Sequence, residues 1–297
     1  MVRERAIGAL VGLAVGDALG TTVAFIPRGG FVPLADMVGG GPFGLAPGQW
    51  TDDTAMAVCL AESLLWVPTL DARDLMRRFR DWWREGVNSA TGVCFDIGMT
   101  TRAAIARFER DGDPVAGDTD PRCAGNGSVM RLAPVAVRWW RDVARAEAVA
   151  RAQSRTTHGA AEAVDGCALL ARSLCRLIAG EGKAALRVEE AGWAGPIQAV
   201  GRGIYAGKTA DEIASTGYVT HTLEAAYWAV ARSGNFEEAV LLAANLGGDA
   251  DTVAAVTGQL AGALWGYGDI PLRWRRLLHE YERLVGLAMA LFAAGEG

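Results

Sequence analysis

Apolar residues recurring at three- and four-residue intervals place the tightest limit on the architecture of this chain. Ile7, Leu10, Ala14 and Ala18 keep that spacing, as do Met56, Leu60 and Leu64, and again Val164, Ala168, Ala171, Leu174 and Ile178. Such intervals gather each set on one face of an α-helix. No clean alternation of β-branched and aromatic residues competes, apart from brief ambiguity at Arg138-Trp139-Trp140 and around Gly217-Tyr218-Val219-Thr220-His221. The expected fold class is all-α. With 297 residues, 51% of them hydrophobic and 21% charged, the chain can bury a sizeable core, and disorder is excluded. Neither a flexible linker nor an internal repeat breaks it, so one domain over residues 1–297 is expected.

Charge and cysteine content narrow the function classes. Lys and Arg number 29 against 34 Asp and Glu, a net charge of −5 with no basic block. Nothing there draws a nucleic-acid backbone or an anionic membrane, although a single nucleotide-like ligand suits it. The five cysteines (Cys59, Cys94, Cys123, Cys167 and Cys175) are an odd set without a CxxC pair. They read as reduced thiols of a cytoplasmic protein. Residues 1–16 imitate a secretion signal, but Glu4 interrupts the basic part, Gly and Ala dilute the apolar part, and Asp17 falls where cleavage would occur. A buried first helix is expected instead. The uncharged run Thr252–Gly268 is shorter than the ~20 residues a membrane span needs. A monomer without membrane association is the expectation.

Two loops and two acidic helix starts carry the chemistry. Phe25–Trp50 holds seven Gly and four Pro, too broken for a helix and long enough to suggest a functional loop. Asp111–Ser128 is a second such loop, ending in Gly125-Asn126-Gly127-Ser128. Thr51-Asp52-Asp53 opens one helical pattern, and Gly247-Gly248-Asp249-Ala250-Asp251-Thr252 opens another with the same grammar. Taken singly, each reads as an N-cap with acid at the positive end of the helix dipole, Thr51 being the natural cap. Taken together, four carboxylates and two threonine hydroxyls form an all-oxygen set suited to Mg²⁺ or Mn²⁺. Zinc is disfavoured, since His158, His221 and His279 are scattered and none shares a short ligand spacing with a cysteine.

These segments, read in order, resemble the ADP-ribosylglycohydrolase family, whose bacterial type is the dinitrogenase-reductase-activating glycohydrolase. The matching landmarks are Gly12-Leu-Ala-Val-Gly-Asp-Ala-Leu-Gly20, Gly48-Gln-Trp-Thr-Asp-Asp-Thr-Ala-Met56, Phe95-Asp-Ile-Gly-Met-Thr-Thr-Arg102, Gly125-Asn-Gly-Ser-Val-Met-Arg-Leu-Ala-Pro134, Thr157-His158 and Gly247-Gly-Asp-Ala-Asp-Thr252. Any one is weak; the ordered set across residues 12–252 is specific. The resemblance implies a compact orthogonal multi-helix domain with a binuclear Mg²⁺ or Mn²⁺ cleft. It implies that Thr51, Asp52 and Asp53 form one half of the metal site and Asp249, Asp251 and Thr252 the other, with Asp251 bridging. Asp17 is either a partner behind those ligands or a buried structural carboxylate. Asp96 and Gly98 approach the sugar, where Asp96 carries a proton or partners a ribose hydroxyl, unless it only caps the helix Met99–Phe108. Cys123, Ala124, Gly125, Asn126 and Gly127 wrap the diphosphate, and His158 contacts the ligand.

One landmark departs from the pattern. The family normally has a glutamate four residues after the Gly-Asp-Ala-Leu-Gly segment, and that carboxylate is tied to catalysis; here Thr21-Thr22-Val23-Ala24-Phe25 carries Ala24. A methyl group neither ligates a cation nor takes a proton. Either a glutamate has been replaced to hold substrate or the chain is a natural pseudoenzyme; the intact landmarks elsewhere favour the first. The implied activity is metal-dependent hydrolysis of the C1″ linkage of ADP-ribose to an acceptor, by Asp53, Asp96 and Asp251 with the position of Ala24. The acceptor could be a protein, nucleic acid or small conjugate. The rivals are a non-catalytic ADP-ribose-binding protein and a two-metal phosphohydrolase.

Overall fold

A computed structural model describes residues 1–189 and 192–296 of the chain. Its described residues form thirteen α-helices: α1 (Val2–Gly20), α2 (Asp52–Trp66), α3 (Ala72–Glu85), α4 (Met99–Asp111), α5 (Ala133–Arg138), α6 (Val143–Thr157), α7 (Ala161–Ala179), α8 (Gly195–Gly201), α9 (Val219–Arg232), α10 (Phe236–Ala244), α11 (Ala250–Trp265), α12 (Leu272–Leu277) and α13 (Tyr281–Ala294). Among them no sheet forms; three isolated bridges are the only extended pairings. The ambiguous Arg138-Trp139-Trp140 closes α5, and Tyr218 makes one bridge to Gly125 before α9 begins.

α1 is apolar on every side, and residues Ala6 to Gly20 are all buried. The stretch Val2–Val23 is long and apolar enough to cross a membrane by composition, yet 94% of that window lies inside the protein. Its partner is α11, and the contact is backbone against backbone. A Cβ placed on Gly8, Gly12, Gly16 or Gly20 would lie 2.3, 2.3, 2.1 or 2.4 Å from the carbonyl oxygens of Gly262, Gly258, Ala254 and Ala250 respectively. Reciprocally, a Cβ on Gly258 or Gly262 would lie 1.9 Å from the carbonyls of Gly12 or Gly8. Glycine every fourth residue therefore puts a smooth stripe on α1, and α11 runs antiparallel against it at a separation that side chains would not permit. This pairing sets the C-terminal end of α1 beside the N-terminal end of α11.

Candidate active site

The start of α2 joins that corner through Asp17. Its carboxylate accepts from the Thr51 amide (2.9 Å), the Thr51 hydroxyl (2.8 Å), the Thr54 amide (3.0 Å) and the Thr54 hydroxyl (2.6 Å). Thr51 occupies the N-cap position of α2, but its side chain does not cap; a carboxylate from another helix does so. The expected Thr51 cap is corrected accordingly, and Asp17 is a buried carboxylate directly behind Thr51, a placement that fits both of its expected roles. The Thr51 hydroxyl has two carboxylate acceptors within reach, Asp17 Oδ1 at 2.8 Å and Asp53 Oδ2 at 3.3 Å. The Thr252 hydroxyl approaches the same Asp53 oxygen at 3.5 Å, which brings the two acidic helix starts together at one residue. Asp53 Oδ1 is buried without a partner among the described residues. Asp249, the N-cap residue of α11, accepts from Asn126 Nδ2 at 2.5 Å, and Asn126 in turn donates to the Thr222 hydroxyl at 2.9 Å.

Over this corner opens a cleft of about 670 Å³. Asp52, Asp96, Gly98, Gly125, Asn126, Gly127, His158, Asp249, Asp251 and Thr252 are brought together along its wall. Thr51 and Asp53 are buried beneath that wall, and Cys123 and Ala124 stand outside it, Cys123 as a half-exposed free thiol. Ala24 is buried one residue before Phe25, which does line the cleft. Asp96 has φ +55° and Phe25 φ +65°, left-handed conformations rare for such side chains and both on this wall. Gly98, not Asp96, is the N-cap residue of α4, so the capping alternative for Asp96 falls away. In the Gly125–Gly127 loop, the Gly125 amide donates to Cys123 O and the Asn126 amide to Gly217 O. These amides are therefore committed within the protein, and among the described residues only the third of them, that of Gly127, lacks a partner. Gly127 also makes room for His158: a Cβ there would lie 2.7 Å from the imidazole Cε1.

Ser215, Thr216 and Gly217 complete the wall and had no signal in the sequence. They arrive through backbone pairing, Asn126 N to Gly217 O at 3.0 Å and Asp249 N to Ser215 O at 3.2 Å, from a segment far from every landmark.

Burial raises the carboxyl pKa values of Asp17, Asp52, Asp53, Asp249 and Asp251, and for Asp52, Asp53 and Asp251 repulsion between neighbouring carboxylates adds to it. Burial, then Asp17 and Asp249, push Asp96 up to about 7. A carboxyl whose folded pKa exceeds its ordinary 3.8 stabilises the fold most at low pH. That contribution fades as pH rises through the folded value. Without divalent cations, Tm should therefore fall from pH 5 to pH 8. Added Mg²⁺ should raise it more at pH 8, and thermal scans showing the same increment at both pH values would rule this out.

The donor set fits hard cations. Carboxylates forced together by the fold, and an Asp53 Oδ1 unpartnered among the described residues, leave negative charge that a divalent ion would neutralise, with the Thr51 and Thr252 hydroxyl oxygens beside it. Among the described residues no three His, Cys, Asp or Glu side chains form a ready-made cage. The threonine hydroxyls and ligand or water oxygens would have to complete the shell.

Comparison with known proteins places the whole chain in one family. A family model described as ADP-ribosylglycohydrolase matches residues 1–297. The chain is 47% identical over 290 residues to the ADP-ribosylarginine hydrolase Tri1 of Serratia proteamaculans (strain 568), covering 97% of this chain and 79% of that one. It is 34% identical to the ADP-ribosyl-[dinitrogen reductase] glycohydrolase of Rhodospirillum rubrum, over 98% of this chain and 97% of the relative. A solved structure described as an ADP-ribosylglycohydrolase-related protein complex superposes with a TM-score of 0.89 at 44% identity, covering 99% of both chains.

Proposed function

Because the chain belongs to the ADP-ribosylglycohydrolase family, we propose that its cleft hydrolyses the bond between C1″ of ADP-ribose and the guanidinium of an ADP-ribosylated arginine. The observation that carries this reading is that Asp52, Asp96, Asp249 and Asp251 open onto the same cleft as the Gly125–Gly127 loop and His158. The arginine acceptor is supported by the name of the Serratia relative and by charge, since a cationic leaving group suits a wall of carboxylates.

Within the cleft, Gly127 and His158 would take the diphosphate side of the ligand. Asp96, on the cleft wall in its left-handed turn, would handle the proton of the leaving nitrogen. Asn126 orients Asp249, and the carboxylates together would stabilise the positive charge that develops on the ribose as the bond breaks. Thr51, Asp52, Asp53, Asp249, Asp251 and Thr252 would hold two Mg²⁺ or Mn²⁺, which supply Lewis-acid polarisation of ribose hydroxyls and water. Ala24 favours a second reading, an ADP-ribose-binding protein without turnover.

Isothermal titration should show ADP-ribose binding that strengthens with Mg²⁺ or Mn²⁺. Asp251→Ala should lose both the cation dependence and tight cation binding while keeping a helical spectrum. Equal affinity in excess EDTA would remove the binuclear site from the argument, and absence of ADP-ribose binding under either condition would sink the functional reading.

A further inference from the structure

We propose that Arg131 and Thr157 are positioning residues that lock His158 in the tautomer with its proton on Nε2, so that the imidazole meets the ligand as a neutral hydrogen-bond donor. The inference rests on the ADP-ribose reading only for the identity of that ligand.

Arg131 is fully buried, and among the described residues no carboxylate lies within ion-pair reach of it. Its guanidinium donates instead to Gln153 Oε1 (2.9 Å), to the Gln153 carbonyl (3.1 Å) and to the Thr157 hydroxyl (2.9 Å), with the ring of Phe79 4.5 Å away. A buried cation without a counter-charge is costly. A guanidinium also only donates and never accepts. Burial lowers its pKa to about 10, which still leaves it charged at neutral pH.

Thr157 must therefore accept from Arg131, and its own proton needs an acceptor. Among the described residues the other hydrogen-bond partner of this buried hydroxyl is His158 Nδ1, at 2.9 Å. If Nδ1 carried the imidazole proton, the threonine proton would be buried without an acceptor, a loss on the order of 1–3 kcal/mol. The arrangement that satisfies all three groups runs Arg131 N–H to Thr157 O, Thr157 O–H to His158 Nδ1, and leaves the ring proton on Nε2. That nitrogen has no protein partner among the described residues and lies against Gly125 and Gly127, where a Cβ would be 3.4 and 3.0 Å away. His158 lines the cleft at this point. The cationic Arg131 behind the ring also opposes a second proton on it, as burial does. What faces the ligand is a donor, and the group it meets must be an acceptor oxygen, such as one of a phosphate or a ribose ring.

Nitrogen-15 NMR of histidine-labelled protein tests this without ligand. The chain has three histidines, and His221→Gln and His279→Gln variants assign them. His158 should show a protonated-type Nε2 and an unprotonated Nδ1. Thr157→Val should convert this into a mixture or into the Nδ1–H form and weaken ADP-ribose about tenfold, while Thr157→Ser should restore both. Should Thr157→Val fail to fold, Arg131→Met releases the same hydroxyl and should give the same mixture. A protonated Nδ1 in the unaltered protein, or an unchanged tautomer in Thr157→Val or Arg131→Met, overturns the proposal. A correct tautomer in a protein that never binds ADP-ribose leaves the lock standing and refutes the functional reading instead.

Discussion

Gly16→Val should cost more than about 4 kcal/mol, enough to abolish cooperative unfolding of the chain. A Cβ at Gly16 would sit 2.1 Å from the Ala254 carbonyl oxygen and 2.5 Å from its carbon, both backbone atoms in a buried helix that cannot turn aside. The usual cost of overpacking, about 1–3 kcal/mol, assumes side chains that shift. Here α1 and α11 would have to separate along the whole glycine stripe, which also parts Asp17 from Asp251 and dismantles the cleft floor. Gly286→Ala in α13 is the matched control. Nothing lies within 4 Å of its Cβ position, and the higher helix propensity of alanine should leave stability unchanged or up to about 1 kcal/mol better. Denaturant melts of the two variants decide the matter, and a Gly16→Val protein with a sharp, near-normal midpoint would show that the close packing is not what holds the helices together.

Ala24→Glu should raise release of ADP-ribose from ADP-ribosylated arginine by at least ~10²-fold, the lower end of what a positioned acid or base contributes. Ala24 is buried directly before Phe25, whose amide donates to Gly248 O at 2.6 Å and so ties this turn to the start of α11. The hydroxyls of Thr21 and Thr22, three and two residues upstream of Ala24, are buried without partners among the described residues. Affinity for ADP-ribose should change far less, because His158 and Gly127 stand on another part of the wall. If the variant releases no more ADP-ribose than the parent from any acceptor offered, the binding-protein reading takes over.

Much of this was legible in the residues themselves. Helical spacing gave the class, although α2 and α11 start earlier than their apolar periodicity does, because Asp52 and Ala250 already lie in the first turn. The acidic starts were legible because carboxylates, glycines and threonine repeat in the same order at two places. What linked them was not: Asp17 caps a helix whose own N-cap threonine faces elsewhere, and a cap supplied from another element leaves no local pattern. Ser215, Thr216 and Gly217 were invisible for a related reason, since backbone pairing rather than side-chain chemistry brings them to the wall. The glycine stripe of α1 was in plain view at residues 8, 12, 16 and 20, but diluted apolarity alone does not reveal which helix it meets.

The close contact between α1 and α11 also bears on how the protein comes into being. α1 precedes α11 with nine helices between them among the described residues, so their encounter closes a very long loop. Until that closure, a helix apolar on all sides has no mate of the right smoothness and stays open to other chains and to chaperones. The acidic corner cannot form before it either, and a nascent fragment that stops short of Ala250 would carry Asp17, Asp52 and Asp53 without the residues that complete their site. Ligand competence in this fold therefore waits on the closure of that loop, as a late event of assembly.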